Sequence, residues 1–161
     1  FNLCSSIVGF SESCIQDIAL NTGMMLAKQG NSLVSVPYKG TGYFASKGYV
    51  NAGGKMLCGI LPKGIESKIP CNEVITVDSW IKQPEVLVSR ADIMIVIGIS
   101  SGTLIEICLT KRYKKYPVLV YKYMISLFPK EVELELNIQY ITDLLALENT
   151  MNKLNTSNQK K

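Results

Sequence analysis

Ser89-Arg90-Ala91-Asp92-Ile93-Met94-Ile95-Val96-Ile97-Gly98-Ile99-Ser100-Ser101-Gly102-Thr103-Leu104-Ile105-Glu106 constrains this chain more than any other stretch. Ile93 to Ile97 is an unbroken apolar run rich in β-branched side chains. It is too short for a helix of its own and suits a strand covered on both faces, as in a parallel sheet. Gly98 ends the run, and Ser100 or Ser101 can cap a helix whose first turn holds Gly102, Thr103 and Leu104. Strand, small-residue turn and helix in succession leave backbone N–H groups and the positive end of a helix dipole facing the crevice beyond the carboxyl edge of the sheet. Phosphate is readily bound there. The junction therefore predicts a nucleotide or nucleotide-derived ligand.

The flanking sequence supplies the sheet this strand needs. Ile7 and Val8, preceded by Leu3 and Cys4, predict a first strand ending at Gly9, with a turn at Ser11, Glu12 and Ser13. From Cys14 to Gln29, Ile15, Ile18, Ala19, Met25 and Leu26 fit a helix with one buried face, stopped by Gly30 and Asn31. Leu33 to Val36 predict the next strand. A β-α-β order in about 35 residues implies a right-handed crossover and parallel strands, hence an α/β fold.

Pro37 to Gly42 predict a turn, Tyr43 to Ala52 a small-residue helix ended by Gly53 and Gly54, and Met56 to Leu61 a further strand. A Pro/Gly/Lys loop from Pro62 to Pro70 and a strand from Glu73 to Val77 follow. Trp80 to Arg90 predict a helix that Pro84 helps to start. Val118 to Tyr121 read as a strand, and Glu131 to Ile138, which alternate polar and apolar, as an edge strand with one wet face. Asp143 can cap a last helix in which Leu144, Leu147, Met151 and Leu154 recur at intervals of three and four. The polar tail 155–161 is expected to be disordered, leaving one domain over residues 1–154.

Composition narrows the chemistry. The chain has no histidine, which removes Ser-His-Asp and Cys-His nucleophile systems together with the commonest metal ligand. Cys4, Cys14, Cys58, Cys71 and Cys108 are widely spaced and form no C-x-x-C pair, so buried thiols are expected rather than a metal site or a disulfide framework. No cofactor is predicted beyond the ligand itself. The net charge of +4 suits an anionic ligand. Much of it lies in Lys111, Arg112, Lys114 and Lys115, at the end of a helix where cations oppose the dipole, and in Lys160 and Lys161. Nucleic acid is not the expected partner. Apolar runs stop short of the ~20 residues that span a bilayer, and no signal-peptide pattern opens the sequence, so the expected location is cytoplasmic.

Gly9-Phe10-Ser11, Lys39-Gly40-Thr41-Gly42, Ala52-Gly53-Gly54, Gly59-Ile60-Leu61-Pro62, Asn72, Ala91-Asp92 and Gly102-Thr103-Leu104-Ile105-Glu106 occur in an order and spacing that resemble the Lonely-guy-like proteins. That family, once misnamed lysine decarboxylases, belongs to the Rossmann-like nucleotide-binding superfamily called SLOG. The resemblance runs from about Ile7 to Val120 and implies a Rossmann-like three-layer sandwich with a mostly parallel central sheet. Phosphoribohydrolases of the family cleave the N-glycosidic bond of cytokinin-type nucleoside monophosphates, with a Pro-Gly-Gly-x-Gly-Thr-x-x-Glu signature and an upstream arginine. Here Gly98, Ile99 and Ser100 stand where Pro-Gly-Gly would be, while Gly102, Thr103 and Glu106 match. Val36 and Pro37 replace expected glycines, and the arginine position falls near Gln83, with Lys82 or Arg90 as substitutes.

Losing the arginine removes a bidentate donor, so binding is expected with weak or no catalysis. The expected ligand-binding residues are Gly9, Ser11, Lys39, Gly40, Thr41, Gly42, Gly98, Ser100, Ser101, Gly102 and Thr103. The resemblance gives Glu106 the catalytic role, whereas the dipole of its helix offers a purely structural one. The alternatives to a nucleotide binder are an active phosphoribohydrolase and a carrier of a phosphate-bearing cofactor such as the molybdenum cofactor. In the helix after Gly102, Leu104, Ile105, Ile107, Cys108 and Leu109 cover more than one side, which calls for a second helix or a homodimer partner.

Overall fold

The computed structural model describes residues 12–113, 117–122 and 128–158. The strand expected at Ile7 and Val8 lies outside them, as do Gly9 and Ser11. The elements alternate: α1 (Glu12–Lys28), β1 (Leu33–Ser35), α2 (Gly40–Asn51), β2 (Leu57–Pro62), β3 (Glu73–Val77), α3 (Gln83–Arg90), β4 (Met94–Val96), α4 (Ser101–Tyr113), β5 (Val118–Tyr121), α5 (Lys130–Glu135), β6 (Ile138–Ile141) and α6 (Leu144–Asn158). The strands form two three-stranded sheets, ordered β1-β2-β3 and β4-β5-β6. Every pairing is parallel, with Cys58 opposite Glu73 in one sheet and Ile95 opposite Leu119 in the other. This is the α/β, Rossmann-like architecture predicted above.

Strand pleating sorts the core into layers. Ile95 of β4 and Leu119 and Tyr121 of β5 join Leu33 and Leu57 of the other sheet and the inner faces of α1, α2 and α6 in one buried cluster. The alternate residues Met94, Val96, Val118 and Val120 meet Val88 of α3 and Ile107 of α4 on the opposite side. A third cluster packs Leu87 of α3 against Ile60 of β2 and Val77 of β3. Both faces of β4 and β5 are thus covered, and β2, β4 and β5 are buried throughout. The outer strand β3 alternates, leaving Val74 half exposed.

Glycine does two distinct jobs here. Gly30 and Gly53 have φ of 73° and 76° and close α1 and α2 in the same way. In α1 the N–H of Asn31 reaches the Leu26 carbonyl, and in α2 that of Gly54 reaches the Tyr49 carbonyl. Gly23 and Gly48 instead let the two helices touch. A Cβ on Gly23 would lie 1.9 Å from the Ala45 carbonyl oxygen, and one on Gly48 2.0 Å from that of Leu20.

Three expectations need correction. Glu131 to Ile138 is not one strand: it holds the helix α5 and only the first residue of β6. Glu and Leu favour helix, the Pro129 carbonyl accepts from the N–H groups of Val132 and Glu133, and Asn137 at φ 51° ends the turn. The wet-faced strand is β6, which pairs with β5. The tail expected to be disordered from Asn155 continues α6 as far as Asn158, and the Asn155 amide contacts Asn31 Oδ1 at 3.4 Å. Finally, the described cysteines are free thiols, but only Cys58 is buried; Cys14 and Cys71 are half-buried and Cys108 is exposed on α4. Among the described residues no helix is long and apolar enough to cross a membrane.

Candidate functional site at the carboxyl edge of the strands

Where β1 and β4 end, a cavity of about 420 Å³ opens between the 36–39 turn, the 80–84 turn and the start of α4. Its volume falls in the range of about 300–1,000 Å³ usual for small-molecule sites. The local sequence explains its wall. Ile97 closes the buried run, and Ser100 then caps α4: its Oγ accepts the Thr103 N–H at 3.2 Å and lies 3.2 Å from Thr103 Oγ1. The Leu104 N–H donates to the Ser100 carbonyl at 2.9 Å. The expected cap is therefore Ser100, and the Ser101–Thr103 turn faces the cavity with the positive end of the helix dipole.

Glu106 lies one turn further along α4, in the cavity wall, and is 1% exposed. Its Oε2 has no hydrogen-bond partner. Burial raises its carboxyl to about 8, so it is chiefly neutral at pH 7. Gln83, the first residue of α3, is 6% exposed, lines the same cavity and leaves its Nε2 without a partner. Pro84 follows it at the helix start, where a missing N–H costs nothing.

Of the residues predicted from sequence, Lys39, Ser100, Ser101, Gly102, Thr103 and Glu106 converge on this cavity. Gly40, Thr41, Gly42 and Gly98 do not line it. Gly42 is committed to packing: a Cβ there would lie 2.8 Å from the Val36 carbonyl oxygen, and its own carbonyl accepts the hydroxyls of Ser35 and Ser46. Thr41 is buried with its Oγ1 unpartnered, in the first turn of α2. The proposed substitutes for the arginine also fail to reach the site. Lys82 is exposed and pairs with Glu85 at 3.6 Å, and Arg90 stands at the far end of α3 beside Glu73 at 3.9 Å. Gln83 occupies the cavity instead, as its place in the resemblance suggests.

Trp80, Ile81 and Ile105 complete the wall, and sequence reasoning missed all three as site residues. Their apolar side chains stay exposed in the fold, Ile81 at 86% and Ile105 at 53%, and no sequence pattern marks them. Among the described residues no cluster of cysteines and carboxylates could hold a metal ion.

Solved structures share this architecture over nearly the whole chain. The molybdenum cofactor carrier protein of Chlamydomonas reinhardtii is 18% identical with a TM-score of 0.80, covering 96% of each chain. The protein TM1055 is 23% identical with a TM-score of 0.79, covering 94% of this chain and 97% of its own. The molybdenum cofactor binding protein of Rippkaea orientalis is 19% identical with a TM-score of 0.76, covering 95% and 93%. No curated protein matches the chain. A family model spans residues 5–153, taking in both sheets and the cavity between their ends, and by that match the chain belongs to the SLOG cluster4 family.

Proposed function

We propose that the protein binds, without cleaving, a small molecule in which a phosphate is joined to a polar heterocycle, as in a nucleotide or a phosphate-bearing cofactor. One observation carries this reading. Two buried side-chain atoms without partners, Gln83 Nε2 and Glu106 Oε2, belong to residues that line one cavity beside the N-terminus of α4. A buried polar atom left unpaired costs about 1–3 kcal/mol, which a ligand supplying the missing partner offsets. The helix start suits the phosphate, while the amide and the neutral carboxyl suit the donors and acceptors of a heterocycle or ribose. The fold shared with a molybdenum cofactor carrier protein and a molybdenum cofactor binding protein supports the carrier form of this reading.

Cleavage of a ribosyl bond passes through an oxocarbenium-like state that an ionised carboxylate stabilises. Glu106 is held largely protonated by burial, and Gln83 brings no positive charge to the phosphate. With AMP at pH 7 no free adenine is expected, whereas ligand carried through purification should appear by mass spectrometry. Release of adenine that disappears in Glu106→Gln would establish the phosphoribohydrolase instead.

We also infer a homodimer. α3 packs beside α4, but Leu104, Ile105 and Cys108 on α4 stay uncovered, and Leu104 and Ile105 are 41% and 53% exposed. Ile105 belongs to the cavity wall as well, so a second copy seated here would adjoin the mouth. Sedimentation should show a dimer that Ile105→Glu dissociates, and a monomer at high concentration contradicts it.

A further inference from the structure

The mouth of the cavity carries an aromatic side chain that the binding of phosphate leaves unused. Trp80, the single tryptophan of the chain, lines the cavity yet is 42% exposed. Lys39 Nζ lies 5.2 Å from its ring centroid. The Tyr38 ring stands 6.4 Å away at a tilt of 42°, and Lys68 Nζ is 4.7 Å from the Tyr38 centroid. The Lys68 N–H donates to the Pro37 carbonyl at 3.0 Å, which ties this row to the end of β1. The indole is thus flanked by Lys39 and Tyr38 without being buried.

We propose that Trp80 is the platform on which the planar heterocycle of the bound molecule stacks, and that Lys39 leaves the indole for the phosphate as the molecule binds. This rests on the proposed function and deepens it. An indole offers a π-face to any purine- or pterin-like ring, while the Gln83 amide and Glu106 carboxyl meet the polar groups deeper in the cavity. Lys39 lines the same cavity as the N-terminal turn of α4. An exposed ammonium on a ring is weakly held, and a charge-assisted contact to phosphate is the stronger one. Stacking makes the site select for a ring, which a helix N-terminus alone cannot do.

Because Trp80 is the chain's only tryptophan, its fluorescence reports the contact directly. The full chain is titrated with AMP, neopterin monophosphate and ribose 5-phosphate, by fluorescence and by calorimetry in parallel. At least one of the two ring-bearing probes should quench Trp80 with the dissociation constant found by calorimetry, while ribose 5-phosphate binds more weakly and without quenching. By calorimetry Trp80→Ala should weaken the quenching probe about tenfold and leave ribose 5-phosphate unchanged, and Trp80→Phe should weaken it less. Lys39→Gln should weaken all binding probes alike.

Quenching by AMP alone or by neopterin monophosphate alone supports the platform and tells which ring it takes. If wild type and both Trp80 variants bind the ring-bearing probes equally, the platform is overturned while the proposed function stands. Absence of binding by all three probes in the wild type overturns the proposed function and this inference with it.

Discussion

The parallel strands β1 and β4 open onto a crevice at each end, and the two crevices differ in how their polar groups are satisfied. At the amino end a crevice of about 250 Å³ is lined by Asn31, Ser32, Arg90 and Asp92 among others. It holds more formal charge, but Arg90 is 55% exposed beside Glu73, and Asn31 and Asn155 contact each other at 3.4 Å. At the carboxyl end the larger cavity has Lys39 at its rim and neutral groups within. Of the three buried side-chain atoms left without partners among the described residues, two line this cavity and none lines the other. Exposed charge is already solvated and asks for nothing. A buried neutral amide or carboxyl with no partner is the stronger mark of a ligand site.

Filling each crevice with one side chain tests this contrast most severely. A Cβ on Gly102 meets only Ser100 Oγ, at 3.6 Å, so Gly102→Leu is accepted by the backbone. It places bulk where phosphate would approach. Calorimetry should show AMP affinity reduced about a hundredfold or more, equivalent to roughly 2.7 kcal/mol, while stability is kept or slightly raised because glycine is a poor helix former. Ser32→Leu in the opposite crevice should leave affinity unchanged. If Ser32→Leu also abolishes binding, the amino-end crevice takes part in the site and the contrast between the two ends is lost.

A second contrast separates the carboxyl of one end from the guanidinium of the other. Burial raises the folded-state pKa of Glu106 from 4.5 to about 8. Between those values the unfolded chain ionises Glu106 while the folded chain keeps its proton, so stability falls as pH rises from about 4.5 to 8. Glu106→Gln removes that dependence. Thermal unfolding should show the variant more stable than wild type at pH 8 by about 4 kcal/mol, on the order of 10 °C, with the gap closing towards pH 5. Arg90→Gln, which loses only an exposed pair, should move stability by less than about 1 kcal/mol at either pH. An equal response of the two variants to pH would mean that Glu106 is not desolvated.

Much of this was readable in the chain. The run Ile93 to Ile97 gave a buried strand, although among the described residues β4 pairs only with β5 and so ends its sheet; Gly30 and Gly53 gave helix ends, and Ser100 to Thr103 gave the start of α4 at the cavity. Elsewhere a local pattern has two meanings. The alternation of Glu131 to Leu136 also fits a short helix, and Pro129 and Asn137 decide for it. Along Lys39-Gly40-Thr41-Gly42 only Lys39 lines the cavity, and Gly42 serves the packing of α2 on Val36.

The chain by itself determined an alternating α/β order with parallel strands, because the period of apolar residues, β-branching and helix-stop glycines are local properties. Which side chains meet at the carboxyl edge was decided only by folding. Gln83, Trp80 and Glu106 lie on different segments, and no spacing along the chain encodes that they share a wall. Nor could the sequence state that Glu106 is desolvated, since the pKa of a carboxyl is set by what the surrounding layers exclude from it rather than by its neighbours in the chain.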